Sequence, residues 1–363
     1  APGQATTLAE SPSQPGVIWV GTDDGNLQVS QDGGTTFTDV TGNIPNAPDG
    51  YFRVTRVEAS NFDPGTCYVT LDNHRNEDWN PYVFVTRDFG QTFTSITNNL
   101  PVGSVKVITE DPRNPNLLYL GTEFGLFVSL NGGQEWNRFQ NGLPTVRVDD
   151  ILVHPRDNDL VVGTHGRSIW IIDDITPLQQ LTGDVLQSEV SLLSPRPSYR
   201  FIYKSERRRD LPNDQNIGQN PPYGASINYY SKSSAEEDAK LTILDESGKA
   251  IRNLAGPMES GVNRVWWDLR HEPQRRPKLR TQPLDFPYEK FNEEGWRPLR
   301  NFGISRGLTP PLVSPGTYTV KLAVGGQEFT QPLEVRQDPS SASSVADIKA
   351  QEKMLLALRD DLN

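Results

Sequence analysis

The sequence predicts an all-β chain: four blades of a β-propeller, then a β-sandwich of immunoglobulin type, then a terminal helix. Three observations carry this. A hairpin box occurs three times, as Ser30-Gln31-Asp32-Gly33-Gly34-Thr35-Thr36-Phe37, Thr86-Arg87-Asp88-Phe89-Gly90-Gln91-Thr92-Phe93 and Ser129-Leu130-Asn131-Gly132-Gly133-Gln134-Glu135-Trp136. The copies recur at roughly fifty residues, the length of a four-stranded blade. Between them, short β-branched and aromatic runs alternate with turns, and the chain carries 30 Gly and 29 Pro to make those turns. Beyond about residue 186 the boxes stop while the strand-like runs continue.

Residues 1–178 read as a partial propeller of four blade units and three boxes. The first unit holds Val17-Ile18-Trp19-Val20-Gly21 and Asn26-Leu27-Gln28-Val29. The second holds Val54–Ala59, Cys67–Leu71 and Tyr82–Thr86, the third Val105–Thr109, Leu117–Thr122 and Gly125–Ser129. The fourth holds Asp150–His154, Leu160–Thr164 and Ser168–Ile172, and has no box. Prolines fix the links from first to second strand, as in Asp63-Pro64-Gly65, Asp111-Pro112 and His154-Pro155.

The box has a mechanical reading. The side chain of Asp32, Asp88 or Asn131 accepts hydrogen bonds from backbone N–H groups of its own turn. Gly34, Gly90 and Gly133 take a positive-φ position closed to most residues. Phe37, Phe93 and Trp136 turn back to fill space against a neighbouring blade. With Ser30, Thr86 and Ser129 leading each copy, the hairpin staples the third strand to the fourth. One acidic ligand per copy falls far short of the six to eight oxygens that calcium takes, so the boxes read as structural and no metal is expected.

The first unit opens on its innermost strand, Thr6-Thr7-Leu8-Ala9-Glu10-Ser11, with nothing before it to cover its face. That predicts the C-terminal blades of a larger propeller, with the remaining blades, or another protein subunit, as the partner of an apolar flank.

Residues 186–338 carry seven strand-like runs, at Val190–Leu193, Tyr199–Ile202, Ser226–Tyr230, Leu241–Leu244, Arg264–Leu269, Tyr318–Val324 and Gln327–Val335. Asp245-Glu246-Ser247-Gly248-Lys249 and Val324-Gly325-Gly326-Gln327 are hairpin turns. Seven strands over this length predict an immunoglobulin-like sandwich. A long Pro- and Arg-rich insertion at 271–312 interrupts it, and its aromatics Phe286, Tyr288, Phe291 and Trp296 predict a segment that packs against the propeller or a partner. Residues 341–363 end in a helix, with Ser344 as cap, Asp347 three residues on, and Ile348, Leu355 and Leu358 on one face.

Composition excludes several function classes. A net charge of −11 argues against nucleic acid or an anionic membrane as partner. No apolar stretch reaches membrane-spanning length, and no signal peptide is present. Cys67, the single cysteine, sits in a strand and reads as a small buried hydrophobe. Four scattered histidines offer no metal-ligand spacing, and no phosphate loop or nucleophile elbow occurs, so no cofactor is expected.

The boxes, the run Val161-Val162-Gly163-Thr164-His165-Gly166-Arg167-Ser168-Ile169-Trp170-Ile171-Ile172-Asp173-Asp174 and the tail Pro315-Gly316-Thr317-Tyr318-Thr319-Val320 resemble the large bacterial Asp-box (BNR-repeat) propeller proteins, glycosyl-hydrolase-like or sortilin/VPS10-like. The resemblance implies a secreted or periplasmic protein with more blades ahead of this point. It does not imply one chemistry, because such propellers host sialidases, xyloglucan hydrolases, sorting receptors and photosystem assembly factors.

A sialidase needs an arginine cluster, and Arg53, Arg56, Arg147 and Arg167 form no recognisable set in the sequence. A glycosidase needs two opposed carboxylates, and among Glu58, Glu110, Asp149, Asp150, Asp173 and Asp174 nothing singles out a pair. The ligand-binding candidates are His165 and Arg167, in a turn of the last blade where other units have an acidic residue, and His74 and Trp79, in a long polar loop of the second. Carbohydrate or peptide is the ligand class. The expected function is a non-catalytic binding or assembly scaffold. The alternatives are a glycoside hydrolase completed by further blades and a sortilin-like peptide receptor.

Overall fold

A computed structural model describes residues 3–140, 142–202, 220–275, 278–297 and 309–361. It forms two compact units, Ala1–Thr182 and Gly183–Asn363.

The first unit is a succession of antiparallel meanders, each in strict sequence order. Blade 1 holds β1 (Ala5–Glu10), β2 (Ile18–Thr22), β3 (Leu27–Ser30) and β4 (Thr38–Asp39). Blade 2 holds β5 (Arg53–Ala59), β6 (Cys67–Asn73), β7 (Asp78–Thr86) and β8 (Thr94–Ser95). Blade 3 holds β9 (Val105–Glu110), β10 (Leu118–Thr122), β11 (Gly125–Ser129) and β12 (Asn137–Phe139). Blade 4 has three strands, β13 (Val148–Val153), β14 (Leu160–Thr164) and β15 (Ile169–Ile172).

Apolar side chains on facing sheets join these blades in pairs. Trp19 and Leu27 pack with Val54 and Leu71 between blades 1 and 2. Ile96 and Val83 pack with Ile108 and Leu118 between blades 2 and 3, and Tyr119 and Leu126 with Ile151 and Val162 between blades 3 and 4. Among the described residues no core joins blade 4 back to blade 1. Leu8 on blade 1 is 66% exposed, and on blade 4 Leu152, Ile169 and Ile171 are 57%, 69% and 61% exposed.

The box hairpins close by a hydroxyl as well as a carboxyl. Thr86 Oγ1 accepts from Gly90 N at 2.9 Å and donates to Asp88 Oδ1 at 2.8 Å, while Asp88 Oδ1 also accepts from Thr92 N at 2.9 Å. Ser30 with Asp32 and Ser129 with Asn131 repeat the arrangement. Gly34, Gly90 and Gly133 hold φ of 84°, 82° and 86°. Gly90 faces Val40 of blade 1 and Gly133 faces Ile96 of blade 2, leaving no room for a methyl group. Phe93 and Trp136 are buried against the preceding blade, whereas Phe37 is 42% exposed because blade 1 has no preceding blade among the described residues. The aromatic reading of the box therefore holds for two copies of three.

Two short helices, α1 (Thr176–Gln180) and α2 (Gly183–Gln187), follow blade 4, where the sequence suggested only the end of the repeat.

The second unit packs two sheets face to face. One orders β16 (Val190–Leu192), β18 (Ala225–Ser231) and β21 (Gly261–Trp267). The other orders β17 (Ser198–Arg200), β23 (Gln327–Gln337), β22 (Gly316–Val324), β19 (Ala239–Leu244) and β20 (Ala250–Gly256), with β17 parallel to β23. Ile227, Tyr229 and Trp267 from the first sheet meet Leu241, Val320 and Leu333 from the second. β20 is an eighth strand that sequence reading missed, since Arg252 and Asn253 interrupt its apolar residues. In the insertion, residues 276–277 and 298–308 lie outside the described set. Its aromatics Phe286 and Tyr288 are 51% and 71% exposed.

Helix α3 (Val345–Asp361) starts on a reciprocal cap, with Asp347 N donating to Ser344 Oγ at 3.1 Å and Ser344 N to Asp347 Oδ2 at 3.3 Å. Ile348 is buried, but Leu355 and Leu358 are 40% and 50% exposed. The helix is fixed instead by charge: Glu352 pairs with His271 and accepts from Ser314 N at 3.0 Å, and Arg359 Nη1 donates to the Glu272 carbonyl at 3.2 Å.

Candidate functional site

A β-bulge recurs at the start of every inner strand. Register with the second strand slips between Ala5 and Thr7, between Val54 and Arg56, and between Val148 and Asp150, and in blade 3 Thr122 pairs Val105 while Gly121 pairs Val107. The residues left over are Thr6, Thr55, Lys106 and Asp149. A bulge frees its extra residue from the ladder and re-aims it. In blades 1 and 2 that residue ties inner strand to inner strand: Thr6 Oγ1 donates to the Val54 carbonyl at 2.8 Å and Thr55 Oγ1 to the Val105 carbonyl at 3.1 Å. In blades 3 and 4 it is charged.

These strand starts gather at one face. Thr55, Lys106 and Asp149 line a cleft of about 330 Å³ with Arg53, Arg147 and three residues from the end of β6 and its loop, Asp72, His74 and Arg75. A neighbouring lobe of about 400 Å³ shares Arg53, Asp72, His74 and Arg75 and adds Tyr51, Phe52, Asp23 and Asp24. Arg53 and Arg147 immediately precede the buried Val54 and Val148, so the strand register itself delivers them to the same place.

Asp72 organises the cleft wall. It is 7% exposed and accepts from Lys106 Nζ at 2.8 Å, His74 N at 3.1 Å, His74 Nδ1 at 2.7 Å and the Ser104 hydroxyl. Burial alone would push its carboxyl up, but the bonds from Lys106, Ser104 and His74 outweigh that and hold it at about 2. Its acceptor positions are filled, and it fixes Lys106 and His74. Opposite, Arg147 forks onto Asp149, Nε to Oδ1 at 2.7 Å and Nη2 to Oδ2 at 3.2 Å. Arg147 Nη2 also lies 2.8 Å from His165 Nδ1. A guanidinium only donates, so His165 Nδ1 accepts in this contact. Arg53 and Arg75 are exposed, and neither guanidinium has a hydrogen-bond or ion-pair partner among the described residues.

Of the sequence candidates, His74 lines the cleft and His165 sits at its rim through Arg147. Trp79 does not line it, but stands 5.6 Å from the His74 ring. Arg167 lies elsewhere, its carbonyl accepting from Trp170 Nε1 at 2.9 Å. Of the four arginines considered for a carboxylate, Arg53 and Arg147 meet here, while Arg56 pairs with Asp150. Asp72, Arg75 and Lys106 were not singled out by sequence.

The other carboxylates are placed differently. Glu110 is 2% exposed, accepts from Ser60 Oγ at 2.9 Å, Asn61 N at 2.6 Å and Tyr68 OH at 3.1 Å, and is pushed up by burial. Glu58 is pushed by burial to about 7. Neither lines the cleft. Cys67 is fully buried and its thiol is pushed up, which suits an inert core residue. Among the described residues no group of three or more His, Cys, Asp or Glu side chains is placed to hold a metal, and no helix is long and apolar enough to cross a membrane.

No family model matches the chain, and no curated protein matches it by sequence. Solved structures do. A GH74 enzyme from Niastella koreensis matches at 19% identity and TM-score 0.38, over 62% of this chain and 34% of its own. The GH74 xyloglucanase from Xanthomonas campestris matches at 12% identity and TM-score 0.40, over 92% of this chain and 54% of its own. YCF48 from Cyanidioschyzon merolae matches at 16% identity and TM-score 0.31, over 47% and 56%. The chain thus spans from a third to just over half of these proteins. Likenesses at these scores lend no weight to any one activity.

Proposed function

We propose that this chain is a non-catalytic binding or assembly scaffold of the Asp-box propeller type, completed by further blades or another subunit. One observation carries the reading. Blade 4 presents an uncovered apolar face with Leu152, Ile169 and Ile171, and Leu8 stands exposed on blade 1, while apolar cores fill the spaces between successive blades. Contiguous apolar surface of this kind marks an interaction site. The three boxes, two closed by a carboxyl and one by the Asn131 amide, support the Asp-box assignment, and a secreted or periplasmic location follows from the resemblance; cell fractionation tests it.

The hydrolase reading has less support. Asp72 and Asp149, the carboxylates of the cleft, are engaged by Lys106 and Arg147, and Asp72, held at about 2, is a poor general acid near neutral pH. A sortilin-like peptide receptor remains compatible with the polar loop that carries His74 and Trp79.

The test is the native mass of the particle. Light scattering should give a species heavier than one chain, and Ile169→Lys with Ile171→Lys should reduce it to one chain without unfolding it. A wild-type particle that is a monodisperse single chain overturns the proposal.

A further inference from the structure

Four cations, Arg53, Arg75, Lys106 and Arg147, line one cleft with two carboxylates, Asp72 and Asp149; Glu123 stands 3.5 Å from Lys106, and the adjoining lobe adds Asp23 and Asp24. This cluster of cations stands in a chain whose net charge is −11. The two carboxylates are already engaged. Asp72 is buried and holds Lys106 at 2.8 Å, and Asp149 holds Arg147 at 2.7 Å. Lys106 and Arg147 are therefore engaged, and the guanidiniums left over are those of Arg53 and Arg75, which have no hydrogen-bond or ion-pair partner among the described residues.

We propose that this cleft binds a carboxylate ligand, with Arg53 and Arg75 as the gripping residues and Lys106 and Arg147 as the fixed field behind them. Guanidinium groups present planar forks that take a carboxylate through two parallel hydrogen bonds. The wall carboxylates temper the field, so a singly charged group is favoured over a phosphate dianion, which Asp72 and Asp149 would repel. Tyr51, 75% exposed in the adjoining lobe, offers an aromatic surface to whatever carries the acid. The site belongs to the inner-strand bulges of blades 3 and 4 and the loop after β6, and does not depend on what covers the apolar flanks.

Calorimetric titration of the full chain at low salt tests the site with three probes: hexaglutamate peptide, glutarate and inorganic phosphate. Saturable binding of hexaglutamate alone assigns the carboxylate to an acidic peptide, and binding of glutarate as well assigns it to small acids. Either result supports the site if Arg53→Gln with Arg75→Gln weakens affinity about tenfold or more and added salt weakens the wild type. Neither side chain bonds within the described fold, so the double variant should keep its melting temperature. Arg156→Gln removes a cation outside the cleft and should leave binding unchanged. The proposal is overturned by an absence of saturable carboxylate binding, by equal binding in the double variant, or by phosphate binding more tightly than glutarate.

Discussion

Blades 1 to 3 end in a fourth strand and blade 4 does not, and one register position accounts for the difference. The residue that closes the third strand opposite the start of the second is Ser30, Thr86 or Ser129 in the first three blades, paired with Ile18, Cys67 and Leu118. In blade 4 the residue paired with Leu160 is Ile172. A hydroxyl there accepts the glycine N–H of the hairpin and orients the carboxyl or amide two residues on; an isoleucine does neither. The chain after Ile172 turns into α1 instead of returning along the sheet, and β15 keeps four exposed or half-exposed apolar side chains. The box therefore governs whether a blade has an outer strand at all, and through Gly90 and Gly133 it also locks each blade onto the one before.

The largest effect should separate the box glycines from one another. A Cβ on Gly90 would lie 2.9 Å from Val40 and one on Gly133 2.9 Å from Ile96, whereas on Gly34 the nearest atom is 3.7 Å away. All three sit at positive φ, so alanine strains each by about 1 kcal/mol. Overpacking against the preceding blade raises Gly90→Ala and Gly133→Ala to about 3 kcal/mol. Urea melts of the three variants would read this directly, and equal losses would sink the interlocking role.

Next comes the hydroxyl. Thr86→Val leaves the Gly90 N–H without its acceptor in a buried hairpin, a loss of about 2 kcal/mol by the same melts. An unchanged midpoint would mean that the difference at Ile172 has another cause.

Acid should discriminate more finely. Hydrogen bonds from the Thr36 N–H and hydroxyl and from Ser30 hold Asp32 at about 2, and the Thr92 hydroxyl and N–H hold Asp88 below the usual range. Depressed values mean that the contribution is fully present above the ordinary aspartate value of 3.8 and is lost as pH falls through the folded-state values. Asn131 cannot titrate. Amide exchange at Thr36 and Thr92 should therefore accelerate on acidification relative to base-corrected exchange at Glu135, and Asp88→Asn should abolish the change at Thr92.

The smallest expected effect is at blade 4. Ile169→Lys with Ile171→Lys should alter the stability of the isolated chain by about 0.5 kcal/mol or less, since both side chains already face water. A larger loss would show that the flank is packed within the single chain.

Much of the scaffold was legible because its signals are local. The boxes repeat in sequence, the strands are bounded by turn residues, and Ser344 with Asp347 announces the last helix. The errors fall where local reading misleads. β20 carries Arg252 and Asn253 where a strong alternation would have marked it. Leu355 and Leu358 have helical spacing, yet Glu352 and Arg359 make the attachments. Of the cleft, His74 and, at its rim, His165 were marked as ligand-binding candidates, while Arg53, Arg147 and Asp149 were weighed in sets that the sequence did not assemble. Arg53, Lys106 and Arg147 are far apart in sequence, and a strand bulge leaves no mark on composition. A signal was nonetheless present: aligning the inner strands on Val54, Val105 and Val148 brings Arg53 beside Arg147 and Lys106 beside Asp149 before any coordinates are consulted.

The recurring bulge has a consequence for how such a protein changes over time. The extra residue of each inner strand stands outside the ladder, so it can change without breaking the pairing of the strand that carries it, and only in blades 1 and 2 does it also tie one blade to the next. Threonine, lysine and aspartate already occupy that socket in successive blades. Selection on ligand preference can thus proceed by exchanging one fitting per blade, while the chassis beneath stays as it is.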